Sequence, residues 1–134
     1  DLSVSTLMIA INDWSELLNP DVCKVAVDNA GYALYFSRAP IPYSRDFANL
    51  DNPKNKNEIY VDHFIFGYKH IGIYAYKKFF LLEISNMKIS RLEEIEKLEQ
   101  LRILENRYLI KVVETKKNSI GVDRPDDLEK IPQI

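Results

Sequence analysis

Apolar and β-branched residues crowd Val4 to Ile11, and the polar pair Asn12-Asp13 stops the run just before Trp14-Ser15-Glu16-Leu17-Leu18. This pattern predicts a strand followed by a short helix, capped at Asn12-Asp13 and ended by Asn19-Pro20. Val22 to Asp28 and Tyr32 to Phe36 are two further apolar runs. Between them Asp28-Asn29-Ala30-Gly31 holds residues that tolerate positive φ, so the segment predicts a β-hairpin. Residues 40–58 carry Pro40, Pro42, Pro53 and several Asn with no sustained period, and read as a long surface loop.

The strand signal returns from Lys69 to Tyr76. A period of two places Ile71, Ile73 and Ala75 on one face and His70, Gly72, Tyr74 and Tyr76 on the other. Ser90-Arg91-Leu92-Glu93 has the form of a capping box, so a helix is expected from about Arg91 to Glu105. Leu92, Ile95, Leu98 and Leu101 would face the core, with Glu96, Glu99 and Gln100 beside them. Tyr108 to Val113 predicts another strand, and Pro125 to Ile131 a short helix entered at Pro125. Strands alternating with helices point to an α/β sheet, with few elements for a doubly wound domain.

Composition narrows the functions open to such a chain. With 134 residues, 46% of them hydrophobic and 28% charged, it is long enough to bury a core without disulfides or a structural metal. A net charge of −2 gives no footprint for nucleic acid. The longest apolar run, Leu7 to Ile11, is far short of the roughly 20 residues that cross a bilayer, so no membrane partner is expected. Cys23 is the sole cysteine and His63 and His70 the sole histidines, which excludes an internal disulfide, argues against a zinc cage and fits a cytoplasmic setting. The chain opens on Asp1 in a strand-like stretch, which leads us to expect a piece of a longer protein.

The residues that could carry chemistry are an Arg after an aromatic hairpin, a His-x-x-x-Tyr strand face, a Glu-Gln pair on a helix and an Asp before a helix. Each has a plain structural alternative: a surface Arg, packing aromatics, a solvated helix face, a residue leading into a helix. Cys23 reads as a small core residue, and Tyr32, Tyr35 and Phe36 as packing. The four glycines are scattered and form no phosphate loop.

The order of these features is nevertheless specific. Asn19-Pro20 with Lys24-Val25, Gly31-Tyr32-Ala33-Leu34-Tyr35-Phe36-Ser37-Arg38-Ala39-Pro40-Ile41-Pro42, His70-Ile71-Gly72-Ile73-Tyr74-Ala75-Tyr76, Leu98-Glu99-Gln100-Leu101-Arg102 and Gly121-Val122-Asp123 follow one another along nearly the whole chain. In this the chain resembles the C-terminal half of the 3-deoxy-manno-octulosonate cytidylyltransferases, the CMP-Kdo synthetase family. The stretch from Asn49 to Asn57 matches that pattern poorly.

The resemblance implies the C-terminal portion of a nucleotide-diphospho-sugar transferase-like, Rossmann-like mixed α/β sheet, with the N-terminal nucleotide-binding half absent. Residues 1–134 would then form one sugar-binding and dimerisation portion. The parent enzyme would join CTP and the acidic sugar Kdo for lipopolysaccharide synthesis, releasing pyrophosphate, as a homodimer with Mg²⁺. By the same resemblance Arg38, His70, Tyr74, Glu99 and Gln100 would bind Kdo and Asp123 would bind the metal, with Glu96 a weaker candidate. Chemistry supports these roles: a guanidinium can grip a carboxylate through two parallel bonds, and a Glu-Gln pair can accept from and donate to sugar hydroxyls. Pro125 makes Arg124 the expected cap of the last helix, which leaves Asp123 free for a metal. The alternatives are a cytidylyltransferase for another acidic sugar, such as a sialic acid, and a non-catalytic dimerisation fragment.

Overall fold

The structure is a computed structural model that describes residues 2–45 and 64–117. Strand β1 (Val4–Ile11) leads into helix α1 (Trp14–Leu18), whose N-cap Asp13 accepts from the Ser15 N–H at 2.9 Å. Strands β2 (Lys24–Val27) and β3 (Ala33–Ser37) form the expected hairpin. Its turn needs the left-handed φ of +75° at Gly31, and Asp28 Oδ1 holds it closed by accepting from the N–H groups of Ala30 and Tyr32. Residues 40–45 contain no helix or strand. The rest of the expected loop, through residue 58, lies outside the described residues, as do His63, Asp123 and the helix expected at Pro125.

Strand β4 (Gly67–Tyr76) pairs antiparallel with both β1 and β2, and strand β5 (Lys111–Glu114) pairs parallel with β1. The result is one mixed five-stranded sheet in the order β3-β2-β4-β1-β5. Helices α2 (Lys78–Asn86), α3 (Arg91–Glu96) and α4 (Leu101–Glu105) fill the connection between β4 and β5. The main core joins Val4 and Met8 of β1, Val25, Phe36 and Val112 to Phe80, Leu98, Leu101 and Ile103. Ile11, Leu17 and Phe66 form a second cluster under α1. Among the described residues no helix is long and apolar enough to cross a membrane.

Three expectations change. The continuous helix from Arg91 to Glu105 is two helices, because Lys97 takes the left-handed conformation (φ +55°) and ends α3. Leu98 and Gln100 turn inward in the break, whereas Ile95, expected in the core stripe, is 64% exposed. A clip spans the break: Arg102 donates from Nε and Nη2 to Glu93 at 2.8 and 2.5 Å. Glu93 also closes its half of the capping box, accepting from the Ser90 N–H at 3.2 Å, while the Ser90 hydroxyl faces the N3 amide but makes no hydrogen bond among the described residues.

Helix α2 is the second change, since no element was expected there. Lys78-Phe79-Phe80-Leu81-Leu82 is apolar on nearly every side and carries no readable period, yet only Phe80 becomes buried. The third concerns the last strand, which begins at Lys111 rather than Tyr108. The Tyr108 N–H donates to Ile103 O at 3.1 Å to close the end of α4, so it is not available to the sheet.

Candidate functional site

A cleft of about 700 Å³ opens where the face of β4 meets α3 and the break after it. Its walls include Cys23, His70, Gly72 and Tyr74 from the sheet side and Glu93, Lys97, Glu99 and Gln100 from the helical side. Four of the five residues expected to bind the sugar thus meet in one hollow, though His70 and Gln100 lie far apart along the chain.

The strand geometry behind this is less regular than a period of two suggests. Thr6 pairs with Tyr74 and Leu7 with Ile71, so Gly72 and Ile73 have no partner on β1 and bulge out of the ladder. Two extra residues preserve the alternation, and His70 and Tyr74 stay on the face they share with Met8 and Thr6. Their rings sit 5.4 Å apart. A Cβ added at Gly72 would meet nothing within 4 Å, which is why this glycine keeps the cleft open between them.

The cleft floor carries no charge. Burial pushes the His70 imidazole down to about 4, so the ring is uncharged near neutral pH. Burial, with smaller contributions from Tyr76, Cys23 and Glu99, holds the Tyr74 phenol well above its ordinary value. Its hydroxyl is buried with no hydrogen-bond partner among the described residues. Such an orphan costs stability unless a ligand satisfies it. Tyr74→Phe is therefore expected to leave the fold intact or raise its stability by up to about 1 kcal/mol, while weakening whatever the cleft binds. Thermal unfolding and ligand titration on the same preparation check both halves of this.

Gln100 is 5% exposed and its amide nitrogen lies 3.7 Å from Cys23 Sγ. Cys23, read from sequence as a small core residue, packs half-buried against the main core just before β2 and also lines the cleft. Burial pushes its thiol up to about 11, against the lowering charges of Arg38 and Lys24, so it is no nucleophile near neutral pH. Glu99 is exposed at the rim.

Arg38 stands next to the cleft but not on its wall. Its Nε donates to Glu96 O at 3.0 Å and its Nη1 to Pro20 O at 3.2 Å, which among the described residues leaves Nη2 and the second Nη1 hydrogen for a ligand. Glu96 proves to be a clamp: its carboxylate accepts from the Arg38 N–H at 2.9 Å and the Ser37 hydroxyl at 2.6 Å. Burial alone would raise that carboxyl, but these bonds, the Tyr35 hydroxyl and the Arg38 charge hold it below its ordinary value.

Sequence reasoning missed two residues that shape the site. Lys24 is fully buried, and its ammonium donates to the carbonyls of Asn19, Val22 and Arg38 at 2.8, 2.6 and 2.5 Å. The available signals were a lysine inside an otherwise apolar strand and the place of Lys24-Val25 among the ordered motifs. Thr6 is the other, a buried hydroxyl against His70 at 2.8 Å. Among the described residues no group of three or more His, Cys, Asp or Glu could hold a metal ion. Asp123, the residue expected to bind Mg²⁺, lies outside the described residues.

Comparison with known proteins identifies the family. The family described as Cytidylyltransferase matches residues 1–117. The chain is similar to 3-deoxy-manno-octulosonate cytidylyltransferases from Geotalea uraniireducens, 49% identical over 96% of this chain and 49% of that protein, and from Solibacter usitatus, 44% identical over 100% and 48%. It is also similar to the structure of a CMP:2-keto-3-deoxy-manno-octonic acid synthetase complexed with CTP, with a TM-score of 0.77 and 38% identity over 96% of this chain and 47% of that one. The chain spans about half the length of the curated relatives it matches.

Proposed function

Because the chain belongs to the cytidylyltransferase family, we propose that the protein carrying it transfers CMP from CTP to Kdo, and that these residues form its C-terminal half. In that reaction a sugar hydroxyl oxygen attacks the α-phosphorus, a new P–O bond forms, the bond to the β-phosphate oxygen breaks, and pyrophosphate leaves as the hydroxyl loses its proton. Positioning and electrostatic stabilisation supply most of the rate in such a transfer. The contribution of this chain is the sugar: His70, Tyr74, Glu99 and Gln100 hold its hydroxyls, and Arg38 offers its free Nη hydrogens to the carboxylate.

One observation carries this reading. Residues from a strand and from a helix break meet in a cleft whose floor holds a buried, unpartnered phenol, as a site built for a hydroxyl-rich ligand would. The nucleotide site belongs to the other half of the protein. Asp123 would serve as one ligand of Mg²⁺, which supplies charge neutralisation when bound. We further assign the protein to the cytoplasm and to lipopolysaccharide synthesis, acting as a homodimer.

Gly72→Leu tests the cleft directly. The new side chain enters open space rather than the core, so the full protein is expected to fold normally, lose at least tenfold in apparent affinity for Kdo, and keep its affinity for CTP, the size of loss that a misfit worth about 1.4 kcal/mol produces. Pyrophosphate release measured against each substrate in turn reads this out. Unchanged Kdo dependence would remove the sugar from this cleft.

A further inference from the structure

The Thr6 hydroxyl is almost wholly buried and meets three groups on β4: His70 Nε2 at 2.8 Å, Ile73 O at 2.9 Å and Ile71 O at 3.1 Å. A threonine hydroxyl has one proton to give, and its oxygen can accept. Carbonyl oxygens only accept, so the proton goes to Ile73 or Ile71. Were Nε2 bare, it would compete for that same proton, and three acceptors would crowd one donor. Nε2 therefore carries a hydrogen and donates it to Thr6.

The consequence falls on the other ring nitrogen. Burial keeps the imidazole neutral near neutral pH, so it holds a single hydrogen, and Nδ1 is left as a lone pair. Nδ1 has no hydrogen-bond partner among the described residues, and neither has the Tyr74 hydroxyl. Both side chains line the cleft.

We propose that Thr6 is a positioning residue whose hydroxyl fixes His70 as its Nε2–H tautomer, so that the cleft presents an acceptor at Nδ1 beside the donor of Tyr74. A ligand hydroxyl can donate to Nδ1. A carbonyl or ether oxygen cannot donate, so this corner of the cleft selects a free sugar hydroxyl. The selection rests on the sugar-cleft reading given above, whereas the tautomer does not.

Nitrogen-15 NMR of the full protein, with the His70 signals assigned by their loss in His70→Gln, tests the tautomer. The expected spectrum has Nε2 in the protonated range and Nδ1 in the bare, pyridine-like range. Thr6→Val keeps the shape and removes the hydroxyl. It is expected to mix the two tautomers and to raise the KM for Kdo roughly three- to tenfold, the worth of one neutral hydrogen bond, with the KM for CTP unchanged. Thr6→Ser keeps the hydroxyl and should restore both readouts. A purely structural Thr6 would lower stability in Thr6→Val and leave the tautomer alone, which overturns the proposal. So does a hydrogen on Nδ1 in the unsubstituted protein, a result that needs no variant to fold. A KM for Kdo unmoved by His70→Gln would instead overturn the sugar reading, and the selection with it, whatever the spectra show.

Discussion

Lys24→Met is expected to destabilise the protein by about 3 kcal/mol and to disorganise the sugar side of the site at the same time. An ammonium has three N–H donors, and in the fold three carbonyls converge on it at 2.5 to 2.8 Å. Methionine fills much the same volume but leaves the carbonyls of Asn19, Val22 and Arg38 without that donor, each at a cost of about 1–3 kcal/mol. Part of this loss is offset, because burying the ammonium is itself costly; burial lowers the Lys24 affinity for its proton. Two of the three carbonyls belong to segments that frame Arg38: the Asn19-Pro20 turn, which receives the Arg38 guanidinium through Pro20 O, and residue 38 itself. Lys24→Arg should not rescue, since a planar fork cannot direct three hydrogens at three carbonyls around one nitrogen. Denaturant midpoints for Lys24→Met and Lys24→Arg check the stability, and the Kdo dependence of the full protein checks the coupling. A stability change below about 1 kcal/mol would mean that water replaces the ammonium at low cost.

Arg38→Lys is expected to weaken Kdo by about ten- to a hundredfold while leaving CTP nearly untouched. The guanidinium is held in place by Glu96 O and Pro20 O and still has Nη hydrogens to offer. A lysine can reach only part of that arrangement, and the lost hydrogen bonds to a charged ligand are worth on the order of 1–3 kcal/mol. Steady-state kinetics varying each substrate separates the outcomes. Equal weakening toward both substrates would point to a loosened fold, because the backbone N–H of residue 38 is also tied to Glu96. No weakening toward Kdo would leave Arg38 a purely structural tie between β3 and α3.

The two predictions differ in how far the sequence alone could have made them. His70, Tyr74, Glu99 and Gln100, singled out by their order along the chain, meet in one cleft with Arg38 beside it, and the period of two on β4 correctly put His70 and Tyr74 on one face. The strand, helix and hairpin of residues 4–37 were legible as well, because capping residues and turn glycines act within a few positions of themselves. Where an apolar run has no period, as in Lys78–Asn86, local pattern has nothing to report, and α2 was missed.

What the amino-acid sequence determined by itself was the local grammar: which segments are strands, where the hairpin turns, and which polar residues stand in a fixed order. Only the tertiary structure decided that α3 stops at Lys97. The side chains on either side of that residue are claimed by different distant partners, Glu96 by Ser37 and Arg38 at the end of β3 and Gln100 by the neighbourhood of Cys23. A continuous helix would hold residues 96 and 100 on one face, one turn apart. The left-handed Lys97 ends α3 there, so Glu96 reaches its partners from the helix and Gln100 reaches Cys23 from the break that follows. Lys24 and Thr6 follow the same logic. Nothing within a few residues marks Lys24 as a donor to three carbonyls, or Thr6 as the acceptor for His70, 64 residues away. Those roles are completed only when the sheet forms: Arg38 O then reaches Lys24 from the end of β3, and the His70 ring with the Ile71 and Ile73 carbonyls reaches Thr6 from β4, away from water, where an unmade bond is costly.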